Sequence, residues 1–336
     1  MKKVIVLMLL LLTACGKEPI EVPVLIYDVN DAYMDDYQRR MVEAGIENAK
    51  LQVYDGQHSQ TIQNEQIDTL LQQDLPLLLV NPVDRLSAHA IIQKAKENDT
   101  AIIFFNREPL QSDLEMYDKA YYVGADAKQS AQLQATLIME MFGNNPNELN
   151  KFDKNKDQII QAVILKGQQG HQDAEQRTKY VIETLIQAGY QVEVLETAIA
   201  NFDEHEGYQQ MSRLIDVYGN DIEVVISNND AMAIGAIKAL VEKEMMVDVN
   251  NDGNIDADNE PWIGVVGIDG LDRAIELLKT NHLYGTVQND SQEMVEIILQ
   301  LADWILLEKD LNDFETTIDQ GHYVWVDYKI ISIEHP

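Results

Sequence analysis

Short apolar runs alternate with amphipathic stretches along most of this chain, and this alternation constrains the fold more than any other feature of the sequence. A short apolar run fits a strand that is buried on both faces of a parallel sheet. Apolar residues three and four positions apart fit a helix that covers such a sheet. The sequence therefore predicts a doubly wound α/β fold.

Two such series follow each other and are separated by a polar, Asn-rich loop at 143–156. The first series has predicted strands at Val22–Tyr27, Leu51–Tyr54, Leu77–Val80, Ala101–Phe105 and Tyr121–Val123, and helices at Met34–Ala44, Thr61–Gln73, Ser87–Glu97 and Gln129–Phe142. The second has predicted strands at Ala162–Leu165, Val192–Leu195, Val224–Ser227, Ile263–Ile268 and Gly285–Val287, and helices at Asp173–Ala188, Glu206–Val217, Ala231–Lys243 and Leu271–Lys279. A long helix at Glu293–Leu307 and a closing strand at His322–Ile331 complete the prediction. Because the two series are similar in size, we expect two Rossmann-like lobes that enclose a cleft.

Length, charge and cysteine content narrow the class of protein. With 336 residues the chain is too long for one ordinary core and fits two domains. The net charge of −32 argues against nucleic acid or an anionic membrane surface as a partner, because both would repel the protein. The single cysteine excludes an intrachain disulfide framework.

The segment 1–15, MKKVIVLMLLLLTAC, has the pattern of an export signal. Lys2 and Lys3 precede an apolar run at Val4–Leu12 that is too short to span a bilayer. The sequence LTAC, which ends at Cys15, resembles a bacterial lipobox, and this resemblance implies removal of residues 1–14 as a signal peptide and lipidation of Cys15. The alternative is an ordinary signal peptide with an incidental cysteine. We expect the mature protein to be extracytoplasmic and anchored by lipid to the cell membrane.

Polar side chains follow the predicted strands at the sheet edge where parallel α/β folds bind ligands. Asp31 and Tyr33 follow the first strand. The other members of this set are Asn106, Arg107, Glu108, His171, Asp173, Arg177, Asn228, Asn229, Asp230, Asp269, Asn289 and Asp290. Asn and Asp are also common helix caps, and we assign Asn228, Asp230 and Asp290 to capping.

The repetition of such residues over six strand ends favours a ligand cleft. Amides, carboxylates and guanidinium groups form hydrogen bonds with hydroxyl groups. Aromatic faces, here those of Tyr33 and Phe202, pack on the apolar faces of a ring. The combination predicts a site for a neutral polyhydroxylated ring, that is, a sugar.

The segment 153–161 has the spacing of a calcium-binding loop. Asp153, Asn155, Asp157 and Gln161 occupy positions 1, 3, 5 and 9 of an EF-hand-like loop. This alternation turns successive oxygen-bearing side chains toward one point, as Ca²⁺ requires. The alternative is a solvated polar connection between two elements.

Motifs distributed over the chain resemble those of the bacterial galactose/glucose-binding proteins, which are solute receptors of sugar ABC transporters with the periplasmic-binding-protein type I fold. They are YDVNDAYM at 27–34, FFNREP at 104–109, YDKAYYVGAD at 117–126, DKNKDQIIQAVILKG at 153–167, GHQDAEQR at 170–177, IEVVISNNDAMAIGA at 222–236, VVGIDG at 265–270 and GTVQND at 285–290. The resemblance covers about Val22 to Tyr328 and implies a three-segment hinge, crossed near Ala125, Asn289 and Trp325. It implies one lobe at 20–125 and 290–324, and another at 126–289 and 325–336.

The same resemblance implies the residues that bind the sugar. Its hydroxyls and ring oxygen would be hydrogen-bonded by Asp31, Asn106, His171, Asp173, Arg177, Asn229, Asp269 and Asn289. Tyr33 and Phe202 would stack on the two faces of the ring, where the family has Phe and Trp. For Phe202, packing in the hydrophobic core is an open alternative.

For the metal loop, the resemblance adds two ligands. Glu223 would supply the bidentate carboxylate that an EF-hand carries at position 12, and Ile159 would contribute its main-chain carbonyl. Gln158 stands at position 6, where such a loop normally has glycine. The implied cofactor is one structural Ca²⁺ ion.

A second segment with calcium-loop spacing, DVNNDGNIDADNEP at 248–261, forms an insertion relative to that family. Its matching residues are Asp248, Asn250, Asp252, Gly253 and Asp256 at positions 1, 3, 5, 6 and 9, with Asn254 at position 7. Position 12 is Asn259, which Asp258 and Glu260 flank. The alternative is an acidic hairpin with an Asp-Gly turn. We expect a second, weaker Ca²⁺ site here.

We expect a sugar receptor that closes about its hinge, not an enzyme. Paired carboxylates in a sugar cleft would suit a glycosidase, but Arg177 would keep Asp173 ionised, which is wrong for a general acid. Repressors with this fold carry a DNA-binding domain where this chain has a signal peptide. The expected ligand is galactose or glucose, between which the sequence does not distinguish. The expected partner of the monomer is an ABC permease in the membrane, with a chemoreceptor as a further candidate.

Overall fold

The computed structural model describes residues 19–47 and 49–333. The predicted signal peptide and Cys15 lie outside these residues. Within them the chain forms two lobes, each built on a six-stranded, mostly parallel sheet that is flanked by helices. The predicted α/β fold class is therefore confirmed. No helix in the described part of the chain is long and apolar enough to cross a membrane.

The first lobe contains a fully parallel sheet. Its strands are β1 (Ile20–Ile26), β2 (Ala49–Asp55), β3 (Leu77–Val80), β4 (Ala101–Phe105), β5 (Ala120–Gly124) and β11 (Tyr323–Trp325), in the spatial order β2-β1-β3-β4-β5-β11. Its helices are α1 (Ala32–Ala44), α2 (Gln60–Leu70), α3 (Ala88–Glu97), the short α4 (Gln111–Leu114) and α10 (Ser291–Leu306). The short helix α4 was not predicted from the sequence.

The second lobe repeats this topology. Its strands are β6 (Ile160–Lys166), β7 (Val192–Ile199), β8 (Val224–Ser227), β9 (Gly264–Asp269), β10 (Gly285–Gln288) and β12 (Lys329–Ser332), in the order β7-β6-β8-β9-β10-β12. Its helices are α5 (Ala127–Met141), α6 (Gln172–Gln187), α7 (Glu204–Tyr218), α8 (Asp230–Glu242) and α9 (Asp272–Lys279). Only β12 runs antiparallel to its neighbour among the described strands.

The apolar runs form strands because both faces of each sheet are covered. Along β1, Val24 and Ile26 belong to the hydrophobic cluster on one face, and Leu25 belongs to the cluster on the other. Successive side chains of a strand point to opposite faces, so a run that is buried on both sides must be apolar at every position. This is the pattern from which the strands were predicted.

The chain passes between the lobes at three places: between β5 and α5, between β10 and α10, and between β11 and β12. Parallel sheets place the carboxyl ends of their strands along one edge, and in both lobes this edge faces the other lobe. The predicted residue limits of the lobes stay a prediction.

The prediction of one closing strand at His322–Ile331 is wrong. Two strands occupy this segment: β11 pairs with β5 in the first sheet, and β12 pairs with β10 in the second. Between them the backbone leaves the ladder, and the N–H of Tyr328 donates to the Gln129 side chain. The apolar pattern is nearly continuous because Val326 and Tyr328, which lie in the connection itself, are also buried.

Candidate functional site

A cavity of about 410 Å³, part of it open to solvent, lies between the lobes at the carboxyl ends of the strands. All ten predicted sugar-binding residues line it: Asp31, Tyr33, Asn106, His171, Asp173, Arg177, Phe202, Asn229, Asp269 and Asn289. Tyr27, Met34 and Arg107 complete the lining. The structure therefore brings the predicted residues of both lobes together around one space.

Helix starts explain how several of these residues reach the cleft. The side chains of Asp31, His171 and Asn229 accept hydrogen bonds from main-chain N–H groups in the first turns of α1, α6 and α8. A capping residue stands where a strand has ended and a helix begins. Capping and lining are therefore done by the same side chains.

This finding corrects part of the capping prediction. Asn229 caps α8, whereas Asn228 and Asp230 were predicted to cap. The Asn228 side chain instead accepts a hydrogen bond from the N–H of Gly167. Buried Asp230 ties the start of α9 to β10, since it accepts from Gly270, Leu271 and Thr286. Asp290 caps α10 as predicted.

Arg177 organises the wall that the second lobe contributes. Its guanidinium group is buried and donates to the Asn228 carbonyl at 2.9 Å, to the Tyr328 hydroxyl at 3.0 Å and to Asp173 Oδ2 at 3.3 Å. An Asp269 oxygen lies 4.0 Å from Arg177 Nη1. Within the described residues, Arg177 Nε is buried and has no hydrogen-bond partner. The guanidinium group of Arg177 therefore lies between the carboxylates of Asp173 and Asp269, and its Nε has no partner among the described residues.

The wall from the first lobe is centred on Tyr27. The Tyr27 hydroxyl donates to Asp31 Oδ2 at 2.6 Å, and the Arg107 guanidinium lies 3.6 Å from the centre of the Tyr27 ring. At the end of β4, Asn106 Oδ1 accepts from Asn81 Nδ2 at 3.2 Å. The polar oxygens of this wall are therefore held by partners from their own lobe.

Arg107 was not predicted as a lining residue, although it belongs to the set of strand-end residues. Asn106 precedes it with a left-handed backbone, at φ 61°. In an extended strand, neighbouring side chains point to opposite faces, but a left-handed residue breaks this alternation. Both Asn106 and Arg107 therefore face the cleft. An Asn directly after a strand was the signal that could have indicated this turn, since Asn tolerates this conformation.

Three residues of the cleft have positive φ values, as do thirteen other non-glycine residues in the described part of the chain. Asn106, Phe202 and Asp269 have φ values of 61°, 65° and 128°, which favour glycine. Such conformations persist where the surrounding structure enforces them, and they cluster at functional sites. Each of these φ values sets the direction in which its side chain leaves the backbone, and all three side chains line the cleft.

The two predicted stacking residues occupy opposite lobes. Tyr33 is buried, and its hydroxyl donates to the main-chain carbonyl of Asn289 at 3.1 Å, across the lobes. Phe202 is half-buried, and its ring meets the His171 ring edge-on at 5.2 Å. Phe202 also packs against the core of the second lobe. Phe202 therefore both lines the cleft and packs in the hydrophobic core.

Burial shifts the protonation of the charged lining residues. Burial, together with the positive charge of Arg107, lowers the pKa of His171 to about 4. The neutral ring accepts the N–H of Asp173 at Nδ1, so its proton is on Nε2, which can donate to a ligand. Burial also raises the pKa of Asp269 well above its ordinary value, although the cation of Arg177 opposes this rise.

Hydrogen bonds within the predicted metal loop, and between the loop and Glu223, hold its backbone in place. Its main-chain N–H groups donate to the side chains of Asp153, Asn155 and Asp157. Glu223 accepts from the N–H groups of positions 2 and 9, at 2.6 and 3.1 Å. Gln158 adopts φ 65°, the left-handed conformation for which such loops use glycine at position 6. Gln158 therefore adopts the backbone conformation that glycine adopts at position 6 of such loops.

Oxygen atoms in this loop remain for a cation. Gln161 is 4% exposed, and its Oε1 has no partner within the described residues, while its Nε2 donates to Asp157. In the described part of the chain, no three His, Cys, Asp or Glu side chains are placed to hold a metal by themselves. A cation at this loop would therefore also need amide oxygens and the Ile159 carbonyl, and the residues present fit such a donor set.

The second loop reproduces the same hydrogen bonds. The N–H of Asp252 donates to Asp248 at 3.2 Å and to Asn250 at 2.8 Å, as Asp157 does to its counterparts at 3.2 and 2.9 Å. Glu260 takes the place of Glu223, since it accepts from positions 2 and 9 at 2.7 Å each. Asn254 and Asp256 follow at positions 7 and 9, as predicted. Unlike the first loop, this one is mostly exposed, and whether it binds a cation stays a prediction.

Comparisons with known proteins agree with this architecture. Residues 22–310 match the model of the periplasmic binding protein domain. The chain is 36% identical to the D-galactose/methyl-galactoside binding periplasmic protein MglB of Haemophilus influenzae, over 83% of this chain and 80% of that protein. The chain therefore belongs to the type I periplasmic binding proteins, a family of extracytoplasmic sugar receptors of ABC transporters that are not enzymes.

Solved structures show the same fold at lower identity. A solute-binding protein of Actinobacillus succinogenes with bound D-allose has a TM-score of 0.75 at 17% identity, over 93% of this chain and 97% of that one. One from Bacillus halodurans with bound myo-inositol has a TM-score of 0.74 at 21% identity, over 95% and 96%. These likenesses establish the fold alone.

Proposed function

We propose that this protein binds D-galactose or D-glucose in the cleft and delivers it to an ABC permease. The observation that carries the proposal is that ten residues from both lobes line one cavity, with carboxylates, amides, a guanidinium and two aromatic rings. The relative from Haemophilus influenzae, whose name states galactose binding, supports this ligand class.

Hinge closure follows from the position of the site. Sugar hydroxyls would bond to the Arg177–Asp173 side and to the Asp31–Asn106 side at once, so the ligand would stabilise the closed arrangement by its differential contacts. Tyr33 already reaches the backbone of Asn289 at one of the three connections between the lobes. The permease would then recognise the closed form.

Thermal unfolding with a panel of hexoses tests this proposal. A ligand that binds the folded state at about 100 times its Kd adds about 2.7 kcal/mol to the free energy of unfolding. We expect D-galactose or D-glucose to raise the Tm and D-mannitol, which has no ring, to leave it unchanged. Equal Tm values with every hexose and with mannitol would contradict the proposal.

A structural calcium ion is the second part of the proposal. Asp153, Asn155, Asp157, Gln161, Glu223 and the Ile159 carbonyl would hold it. The Oε1 of Gln161, which is buried and has no partner within the described residues, favours a cation, because an ion would satisfy it. Its role would be to fix the loop that leads into β6, not to contact the sugar.

Chelation tests the calcium site, and the second loop provides a matched control. We expect EGTA to lower the Tm of the wild type, and Asp157→Asn to remove most of this response. Asp252→Asn changes the corresponding residue of the second loop. If only Asp157→Asn reduces the Tm response to EGTA, the cation is confined to the first loop. If each variant reduces that response in part, there are two sites. No effect of EGTA on any of the three proteins would refute calcium binding.

Membrane attachment is the third part. Lipidated Cys15 would lie only six positions before Glu21, the second residue of β1, a span of at most about 20 Å. The receptor would therefore stay beside its permease. We expect Cys15→Ser to leave the signal uncut or to release the protein from the membrane fraction. Unchanged processing and retention would refute the lipid anchor.

A further inference from the structure

Asp230 is a buried carboxylate that contacts the backbone directly behind the cleft. It is the first residue of α8, its side chain is fully buried, and it does not line the sugar cavity. Its Oδ2 accepts from the N–H groups of Gly270 and Leu271 at 2.7 and 2.9 Å, and its Oδ1 accepts from the Thr286 hydroxyl at 2.7 Å. Burying a carboxylate is costly unless donors satisfy its oxygens. These hydrogen bonds therefore define the position of the carboxylate closely.

The donors to this carboxylate belong to the ends of two neighbouring strands. Gly270 directly follows Asp269, the last residue of β9, and Thr286 lies in β10, which ends one residue before Asn289. The N–H of Asn289 donates to the Asp269 carbonyl at 3.0 Å, so the two strand ends are joined where they reach the cleft. Asp269 and Asn289 both line the sugar cavity. Asp230 therefore holds the backbone from which two predicted sugar-binding side chains extend.

The backbone of Asp269 requires such support. Its φ of 128° is a value that residues other than glycine rarely adopt. Conformations of this kind cost free energy and persist where the surrounding structure enforces them. The N–H groups of the next two residues both donate to one oxygen of Asp230, and these two hydrogen bonds fix the direction of the chain immediately after Asp269.

Gly267 shows how closely the carboxylate approaches β9. A Cβ added at Gly267 would lie 2.0 Å from Asp230 Oδ1, so any larger residue at this position would have to displace the carboxylate. Gly267 does not line the sugar cavity. It therefore offers a way to move the Asp230 side chain from a second element of the lobe.

We propose that Asp230 is a positioning residue for sugar binding, which orients the Asp269 carboxylate toward the ligand without contacting the ligand itself. This inference rests on the proposed function of the cleft. It adds to the lining residues a buried side chain on which the affinity for the sugar depends. Asp230→Asn keeps an oxygen for both N–H groups and gains an amide that can donate to the Thr286 hydroxyl, whereas Asp230→Ala removes all three contacts.

Isothermal titration and thermal unfolding of the wild type and the variants test the inference. Burial raises the pKa of Asp230 to about 6, so the titrations are made at about pH 7.5, where the carboxylate is ionised. The probes are D-galactose and D-glucose, and the monodeoxy derivatives of whichever of them binds. We expect Asp230→Ala to weaken binding of the parent sugar by about tenfold or more, and Asp230→Asn by about threefold or less.

The deoxy sugars separate positioning of Asp269 from a general loss of stability. Asp269→Asn identifies the hydroxyl that Asp269 contacts, because a sugar without this hydroxyl is affected least by the substitution. Asp230→Ala should affect the same deoxy sugar least. Gln134→Ala is the structural control, since this buried side chain donates to main-chain carbonyls of β8 and β9 and does not line the cavity. It should lower the Tm and change the Kd less than about twofold.

Gly267→Ala carries the test if Asp230→Ala does not fold. The added methyl group displaces the Asp230 carboxylate but leaves its charge in the lobe. We expect this variant to bind the parent sugar at least about threefold more weakly and to affect the same deoxy sugar least.

Three results would overturn the inference while leaving the proposed function intact. In the first, Asp230→Ala, or Gly267→Ala in its place, lowers the Tm and leaves the affinity for the parent sugar unchanged. In the second, that variant weakens the parent and every deoxy sugar by the same factor, or affects least a deoxy sugar other than the one identified with Asp269→Asn. In the third, Asp230→Asn weakens the parent sugar by about tenfold or more. Failure of the wild type to bind both parent sugars would instead refute the proposed function, and the inference with it.

Discussion

The two walls of the cleft differ in how much hydrogen-bonding capacity they leave for a ligand. In the first lobe, Asp31 accepts from the Tyr27 hydroxyl and from its own helix, and Asn106 accepts from Asn81. Among the described residues, each wall keeps one unpaired guanidinium donor, Arg107 Nε in the first lobe and Arg177 Nε in the second, but the second lobe supplies seven of the ten predicted binding residues and the first lobe three. We infer that the sugar gains most of its binding free energy from the second lobe and that the first lobe closes over it.

The largest effect is expected at Asp173. Asp173→Ala should weaken hexose binding by about 2 kcal/mol or more, roughly 30-fold, because a buried sugar hydroxyl and an Arg177 donor lose their partner. Asp216→Ala, which removes an exposed carboxylate from the same lobe, is the control and should change the Kd less than twofold. Titration calorimetry measures both. If the wild type and Asp173→Ala bind hexoses with equal affinity, the second-lobe wall is not part of the sugar site.

The pH dependence of sugar binding tests whether His171 becomes buried when the two lobes close. With the lobes apart, His171 would lose part of its burial and the nearby charge of Arg107, so its pKa would rise toward its ordinary value of about 6.5; in the closed cleft its pKa is about 4. The closed form thus binds fewer protons between these values, so affinity should fall as the pH drops below about 6.5. By linkage, His171 alone should weaken binding at most about tenfold at about pH 5.5 relative to about pH 7.5.

Asp269 opposes this trend, because its pKa is raised on burial and it takes up a proton as pH falls. Titrations with His171→Asn isolate the histidine, since the difference between the two proteins across the pH range belongs to His171. If that difference is flat, His171 is not desolvated on closure.

A smaller effect is expected in the first lobe. Asp31→Asn keeps a side-chain oxygen for capping α1 but removes the negative charge that a sugar hydroxyl would meet. We expect a loss of about 1 kcal/mol in binding and little change in Tm. A loss larger than that of Asp173→Ala would reverse the ranking of the two walls.

The smallest effect concerns Phe202. An added Cβ at Gly167 would lie 2.1 Å from the far edge of the Phe202 ring, so Gly167→Ala must displace the ring from the cleft. We expect about threefold weaker binding, because an aromatic contact of about 0.5–1.5 kcal/mol is partly lost. If only the Tm falls and the Kd is unchanged, Phe202 serves the core and not the ligand.

The fold was predictable because the strands are buried on both faces, so that each appears as an uninterrupted apolar run. The same rule produced the error at 322–331, where a buried connection between the lobes continues the apolar run and conceals a change of sheet. A run of apolar residues indicates that a segment is buried, but it does not indicate which sheet a strand joins.

The candidate site was predictable where residues follow a strand directly and less so where side chains have two roles. Asp31, His171 and Asn229 both cap helices and line the cleft, so capping was no reason to exclude a residue. Arg107 was missed because its direction depends on the left-handed backbone of Asn106. The contacts of Arg177 with Asn228, Asp269 and Tyr328 join residues far apart in the sequence, which no local pattern contains.

The most direct test of the account is calorimetric titration of D-galactose and D-glucose into the wild type and into the double variant Asp173→Ala/Asn229→Ala. We predict one binding site per chain in the wild type for at least one of these sugars, and loss of measurable binding in the double variant. The double variant should still fold cooperatively, with a lower Tm because Asn229 no longer caps α8 and Arg177 loses its Asp173 partner. No binding of either sugar to the wild type, or equal binding to a folded double variant, would contradict the assignment of this cleft as a sugar site.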